Sequence, residues 1–173
     1  MQQLPIHRGA LTFVTPAMAA GLMSLLLLAP LPAALSSIIG TGSWTNNVTS
    51  TDLTGGAGTN LTTTYSSASN VITLDVSGTP TAIYYHVYAR YTGASWPGAM
   101  TVAIKRTSNG NSLLGGSLIT GGTSYTTLGA ADTEIFTGLL DRSGVQIQVQ
   151  VGGVSVSIPP GNYPANIVFT ISP

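Results

Sequence analysis

Beyond residue 37, apolar and polar positions alternate with a period of two, and no sustained 3.6-residue period interrupts them. The clearest run is 145–151. Val145, Ile147, Val149 and Val151 fall on one side, and Gln146, Gln148 and Gln150 on the other. Side chains of a strand point alternately to its two faces, so this run predicts a half-buried antiparallel strand with a wet glutamine face. Gly152-Gly153 then offers a turn, and Val154-Ser155-Val156-Ser157-Ile158 alternates again. Two such runs around a Gly-Gly predict a hairpin. Pro159-Pro160-Gly161-Asn162 reads as a turn, and residues 166–171 as the last strand. Upstream, residues 70–77 set Ile72, Leu74 and Val76 against Val71, Thr73 and Asp75. Residues 82–91 form a tyrosine-rich strand, and residues 100–106 another, closed by a turn at 107–111. Shorter candidates lie at 113–119 and 134–136. Residues 49–70, rich in Thr, Ser and Gly, read as a long connection or a weak edge. Many short strands separated by turn signals predict an all-β fold, a single antiparallel Ig-like β-sandwich.

The first 36 residues break this pattern. Arg8 is followed by the apolar run 17–29, interrupted only by Ser24, and then by Pro30 and Pro32. Ala34-Leu35-Ser36 places small residues where a signal peptidase reads them. Residues 1–36 are therefore expected to be a secretory signal peptide and residues 37–173 the mature domain. An apolar run of about 13 residues is short of the roughly 20 that span a bilayer. Two other readings stay open. One is an uncleaved anchor over 11–39, against which Pro16, Pro30 and Pro32 count. The other is a pilin-like leader cut after Gly9, which lacks an early acidic residue in the apolar stretch.

Composition narrows the chemistry. The chain has 173 residues, of which 6% are charged, with 5 Lys+Arg, 5 Asp+Glu and no Cys. An average soluble domain carries about 25% charged residues. Without Cys, this sequence has no disulfide framework, thiolate metal site or thiol nucleophile. Only Arg90, Lys105, Arg106 and Arg142 are basic beyond residue 36, which argues against binding a nucleic-acid backbone. A neutral, cysteine-free, Gly/Thr/Ser-rich domain suits a secreted, extracellular or cell-surface protein with no stable membrane span in its mature part.

Candidate catalytic groups are sparse. His86 is the one histidine after residue 36, and no nucleophile elbow accompanies it. Asp132 and Glu134, two apart, would share a face if they lay in a strand, but Asp132-Thr133-Glu134 reads first as a solvated loop. Two carboxylates are too few to specify Ca²⁺. Gly55-Gly56 and Gly121-Gly122 lack the helix and Lys of a phosphate loop. The expectation is a protein that is not an enzyme, with no cofactor and no metal. Trp96 and Tyr88 are candidates for a sugar-stacking platform, and the strand tyrosines serve core packing equally well. Asn47-Val48-Thr49 and Asn60-Leu61-Thr62 are glycosylation sequons, making Asn47 and Asn60 candidate acceptors.

The ending Ile158-Pro159-Pro160-Gly161-Asn162-Tyr163-Pro164-Ala165, followed by the alternating run 166–171, resembles the closing motif of bacterial fimbrial subunits. It is most similar to the spore coat protein U-like and chaperone–usher pilins, although spore coat U-like domains usually carry cysteines. The resemblance covers about the last 30 residues and the general plan of signal peptide and sandwich. It implies a structural subunit of a surface filament, a homopolymer in which an extended segment of one copy fills the open edge and groove of the next. An assembly chaperone and surface glycans are further implied partners. The candidate donor is the N-terminal segment 37–48, through Ile38, Ile39, Trp44 and Val48. The same segment would otherwise be the first strand of its own domain. The alternative function is a monomeric carbohydrate-binding or adhesin domain.

Overall fold

The computed structural model describes residues 36–93, 96–113 and 118–173. Residues 1–35 of the expected signal peptide lie outside them. Ten strands carry the fold: β1 (Ser37–Gly42), β2 (Tyr65–Ser66), β3 (Ile72–Ser77), β4 (Tyr85–Gly93), β5 (Thr101–Arg106), β6 (Ile119–Thr120), β7 (Thr126–Leu128), β8 (Thr133–Gly138), β9 (Arg142–Gly152) and β10 (Ala165–Ser172). All pairings are antiparallel. One sheet runs β1-β3-β9-β5-β7, with β2 beside the far half of β9, and the other runs β10-β4-β8-β6. The protein is an all-β sandwich, as the alternation predicts. Among the described residues no helix is long and apolar enough to cross a membrane.

The core is made by the inward residues of both sheets. Leu74, Val76, Val102, Ile104, Val145, Ile147 and Val149 come from the larger sheet, and Tyr85, Val87, Ala89, Ile135 and Phe136 from the smaller. In β9 the predicted faces hold, with Val145, Ile147 and Val149 buried and Val151 half-buried. Its glutamines are not free in water. Gln148 Nε2 donates to the Ser67 carbonyl at 2.7 Å and Gln150 Nε2 to Ser66 Oγ at 3.1 Å.

The hairpin expected at 145–158 does not form. Both edges of β9 near Gly152 are already taken, by Thr101 of β5 on one side and Tyr65 of β2 on the other, which pair with Gly152 and Val151. Gly153 turns the chain away with φ +73, where a Cβ would run into the Ala99 carbonyl. Residues 154–158 then cross to the connection expected at 49–70. There Val154 N–H donates to the Thr63 carbonyl and Val156 N–H to Asn60 Oδ1, at 3.1 Å each. That connection holds a capped 3-10 turn (Ser50–Asp52), a Leu53–Leu61 bridge and β2. Of the candidate strand 113–119, residues 114–117 lie outside the described residues, and Ile119 falls in a strand, β6. The three-residue β7 has no clear signal in the sequence.

Two bulges change which side chains face which way. Between β3 and β9 the register slips, so that Leu74 opposes Val145 but Val76 opposes Arg142. The extra residue in β9 lies beside Gly144, whose φ is +72. Strict alternation from Val145 would send residue 142 outward, and the bulge sends it in. Between β4 and β8, Val87 opposes Phe136 and Tyr88 opposes Glu134. Ile135 is accommodated as the extra residue, so Glu134 and Thr137, three apart, share the outer face.

Candidate functional site

The sandwich closes differently at its two ends. At the end holding Gly42, Val102, Val151 and Ala165, the sheets part around a cleft of about 1240 Å³. Ile72, Val102, Val149 and Val151 line it from the larger sheet, and Ile167 and Phe169 from β10. Trp44, Trp96 and Tyr163 also line it, and none of the described lining residues is Asp, Glu, His, Lys or Arg. The cleft exists because β10 is an edge strand with no fully buried residue, so its inward side chains cover the opposite sheet only in part.

The chain's own N-terminal arm lies along this cleft. β1 pairs with β3 from Ser37↔Ser77 to Gly42↔Ile72. A Cβ on Gly40 would touch Leu74 at 3.2 Å and Phe169 at 3.4 Å, so β1 runs close over both sheets. Ile38 and Trp44 pack against the core, whereas Ile39 is 58% and Val48 41% exposed. Residues 43–48 make no hydrogen bond to the rest of the described chain, and of them only Trp44 packs against the core. Within a single copy, the candidate donor segment is thus the first strand of its own sheet, with Trp44 in its own cleft.

The other sequence candidates are dispersed. Asn47 is exposed in the arm. Asn60 is also exposed, but its Oδ1 already accepts from Leu61 N–H at 2.9 Å and Val156 N–H at 3.1 Å. Trp96 and Tyr88 do not form a joint platform. Trp96 stands edge-on to inward-facing Tyr91 at 5.7 Å and donates from Nε1 to the Pro164 carbonyl at 3.1 Å. Tyr88 points outward between buried Val87 and Ala89, so alternation along β4 separates the two rings.

Outward with Tyr88 lies a polar cluster that the β8 bulge assembles. His86 Nδ1 is 3.2 Å from Glu134 Oε1, and Thr137 Oγ1 donates to the same oxygen at 3.0 Å. Arg90 pairs with Asp132 at 3.1 Å. Asp132 and Glu134 do share a face, and Glu134 lies in a strand, not in a loop. The hydrogen bonds from His86 and Thr137 hold the Glu134 carboxyl below its ordinary pKa. The cluster is exposed, with the Arg90–Asp132 ion pair beside the His86–Glu134 contact.

The opposite end of the sandwich contains two arginines that the sequence reading did not single out. Arg142 is 1% and Arg106 6% exposed. Arg106 donates from Nε and Nη2 to the Gly121 carbonyl at 3.0 and 2.7 Å, and from Nη1 to Asn109 Oδ1. Its guanidinium lies 6.0 Å from the Phe136 ring centroid. Burial and the charge of Arg142 lower its pKa. Arg142 Nη1 donates to the Asn109 carbonyl at 3.0 Å. Alternation did signal Arg106, which shares a face with Val102 and Ile104. Arg142 reaches the inside only through the bulge at Gly144.

Comparison with known proteins adds no relative: no protein-family model, curated protein or solved structure matches this chain.

Proposed function

We propose that this protein is a structural subunit of an extracellular surface filament, fimbria-like, polymerising by strand donation between copies. One observation carries the reading: a cleft between the sheets, with Ile72, Val149, Ile167 and Phe169 in its walls, is lined by an arm of the same chain whose residues 43–48 make no hydrogen bond to the rest of the described chain. An element that completes its own domain can complete an identical neighbour's, since both contacts are chemically the same. Residues 37–48, with Ile38 and Trp44 as apolar anchors, are the donor. The arm runs from the arginine end to the cleft end, so exchange between copies stacked end to end would build a filament.

The test is electron microscopy of the secreted protein with and without residues 37–48. The intact protein should form filaments. The deletion should be soluble and unpolymerised, or should aggregate through its opened cleft. Normal filaments from the deletion would exclude donation by this segment.

A second reading, a monomeric carbohydrate-binding or adhesin domain, draws on the uncharged cleft with Trp44, Trp96 and Tyr163 in its walls. Glycan-array binding by the isolated monomer, lost in Trp96→Ala, would favour it over the filament.

A further inference from the structure

Four strands stand at the ends of the two sheets, and they differ in how much edge they offer. β1 and β7 end the larger sheet, and β10 and β6 the smaller. β6 and β7 are 2 and 3 residues long and offer little edge. β10 is 8 residues long and pairs with β4 over all of them without a register slip. Among the described residues, its other side pairs with no strand. Such an edge presents a row of free N–H and C=O groups, which natural monomers guard with charge, proline or a bulge. β10 has no charged residue, no proline and no bulge. β1, which lies against it, is uncharged as well.

The sequence of β10 says what fits this edge, because about Phe169 it is a chemical palindrome. Val168 and Thr170 on either side are both β-branched. Ile167 and Ile171 are identical, and Asn166 and Ser172 are both polar. The two faces respect the same symmetry. Ile167, Phe169 and Ile171 pack against the core, and the even-numbered residues alternate with them on the outer face. A strand laid antiparallel on β10 with its centre at Phe169 therefore meets like with like at every position if it is β10 itself.

We propose that β10 pairs antiparallel with β10 of a second copy, about a two-fold axis at Phe169, so that the two four-stranded sheets become one. Val168 then opposes Thr170 and Ile167 opposes Ile171, pairs of the kind that stabilise antiparallel sheets. Asn166 opposes Ser172, two polar side chains at the exposed margin. A two-fold contact uses the same patch on both copies, so it closes as a dimer. Donation of residues 37–48 engages β3, whereas this contact engages β10, and it does not depend on the filament reading. Within a filament it would tie two strands of subunits side by side.

The test uses the full chain, which has no cysteine of its own. Asn166→Cys and Ser172→Cys are made as separate variants, both at exposed positions. In the proposed dimer, position 166 of one copy faces position 172 of the other. Each lies six residues, roughly 20 Å, from its own counterpart, too far for a disulfide. Under mild oxidation a mixture of the two variants should give a linked dimer containing one of each, and neither variant alone should link. Exchange of the N-terminal arm predicts no such pattern, since neither position lies in the arm. Adding Val168→Lys and Thr170→Lys to both variants sets lysines opposite each other and should abolish the link. No link in the mixture, equal linking in either variant alone, or an unchanged link with the lysines would overturn the proposal. If the lysine variants do not fold, the exposed cysteine pair decides alone.

Discussion

The cleft end and the arginine end belong to one sandwich but are closed by different physics. At the cleft end, branched, aromatic and uncharged polar side chains meet with no described Asp, Glu, His, Lys or Arg among them, and of residues 43–48 only Trp44 packs against the core. At the other end, two guanidiniums and two carboxylates meet main-chain carbonyls and amides at fixed distances. Apolar burial is proportional to area and indifferent to direction, so it tolerates an exchange of one apolar segment for another. Hydrogen bonds to buried charge are directional, and an unpaired partner is costly, so that end has one arrangement.

The largest effects should separate the middle of the sandwich from its cleft end. Ile147 is fully buried where the sheets face each other. Ile147→Ala should cost about 2–5 kcal/mol in denaturant unfolding. Val151, four residues along the same strand face, lines the cleft and is only half-buried. Val151→Ala should cost about 1 kcal/mol, since it removes only two methyl groups and part of their surface already borders the cleft. Equal losses at the two positions would show that the cleft is as closely packed as the core.

The contrast between the ends was only partly legible in the sequence. The faces of β9 from Val145 onward, and of β3 and β5, follow from alternation, because each keeps a period of two against one core. The tyrosine-rich strand was legible as a strand, although the assignment of Tyr85 inward and Tyr88 outward needed its partners. Arg142 was hidden because a bulge is a property of the strand pair, and a single strand's pattern cannot show it. The failed hairpin has a similar cause. Val154 to Ile158 alternates well enough, but strands distant in sequence had already occupied both edges of β9. The cleft was invisible for a different reason, since it arises from how incompletely β10 covers the larger sheet.

The bulge offers an intermediate effect at the arginine end. Gly144 has φ +72, and a Cβ there would meet nothing within 4 Å. Gly144→Ala therefore tests backbone strain without a clash and should cost about 1–2 kcal/mol. Gly144→Ala with unchanged stability would mean that the chain can relax the bulge freely, and the fixed character of this end would be lost.

The smallest effect lies on the outer face of the four-stranded sheet, which belongs to neither end. His86 and Thr137 hydrogen bonds lower the Glu134 pKa, and a group whose folded pKa is depressed contributes stability above its unfolded pKa. That contribution is lost as pH falls through the folded value, so it fades in acid below the ordinary glutamate range of about 4.3. Both side chains are well exposed, at 39% and 46%, and water screens the pair. A carboxyl-resolved NMR titration should show the Glu134 midpoint moving up toward the ordinary range in His86→Ala, with unfolding at neutral pH hardly changed. Thr137→Ala should move it in the same direction by less, since His86 is the larger cause. A midpoint that stays low in both variants would mean that something other than these two hydrogen bonds holds the carboxylate, and the bulge that brings Glu134 and Thr137 to one face would then have no electrostatic consequence.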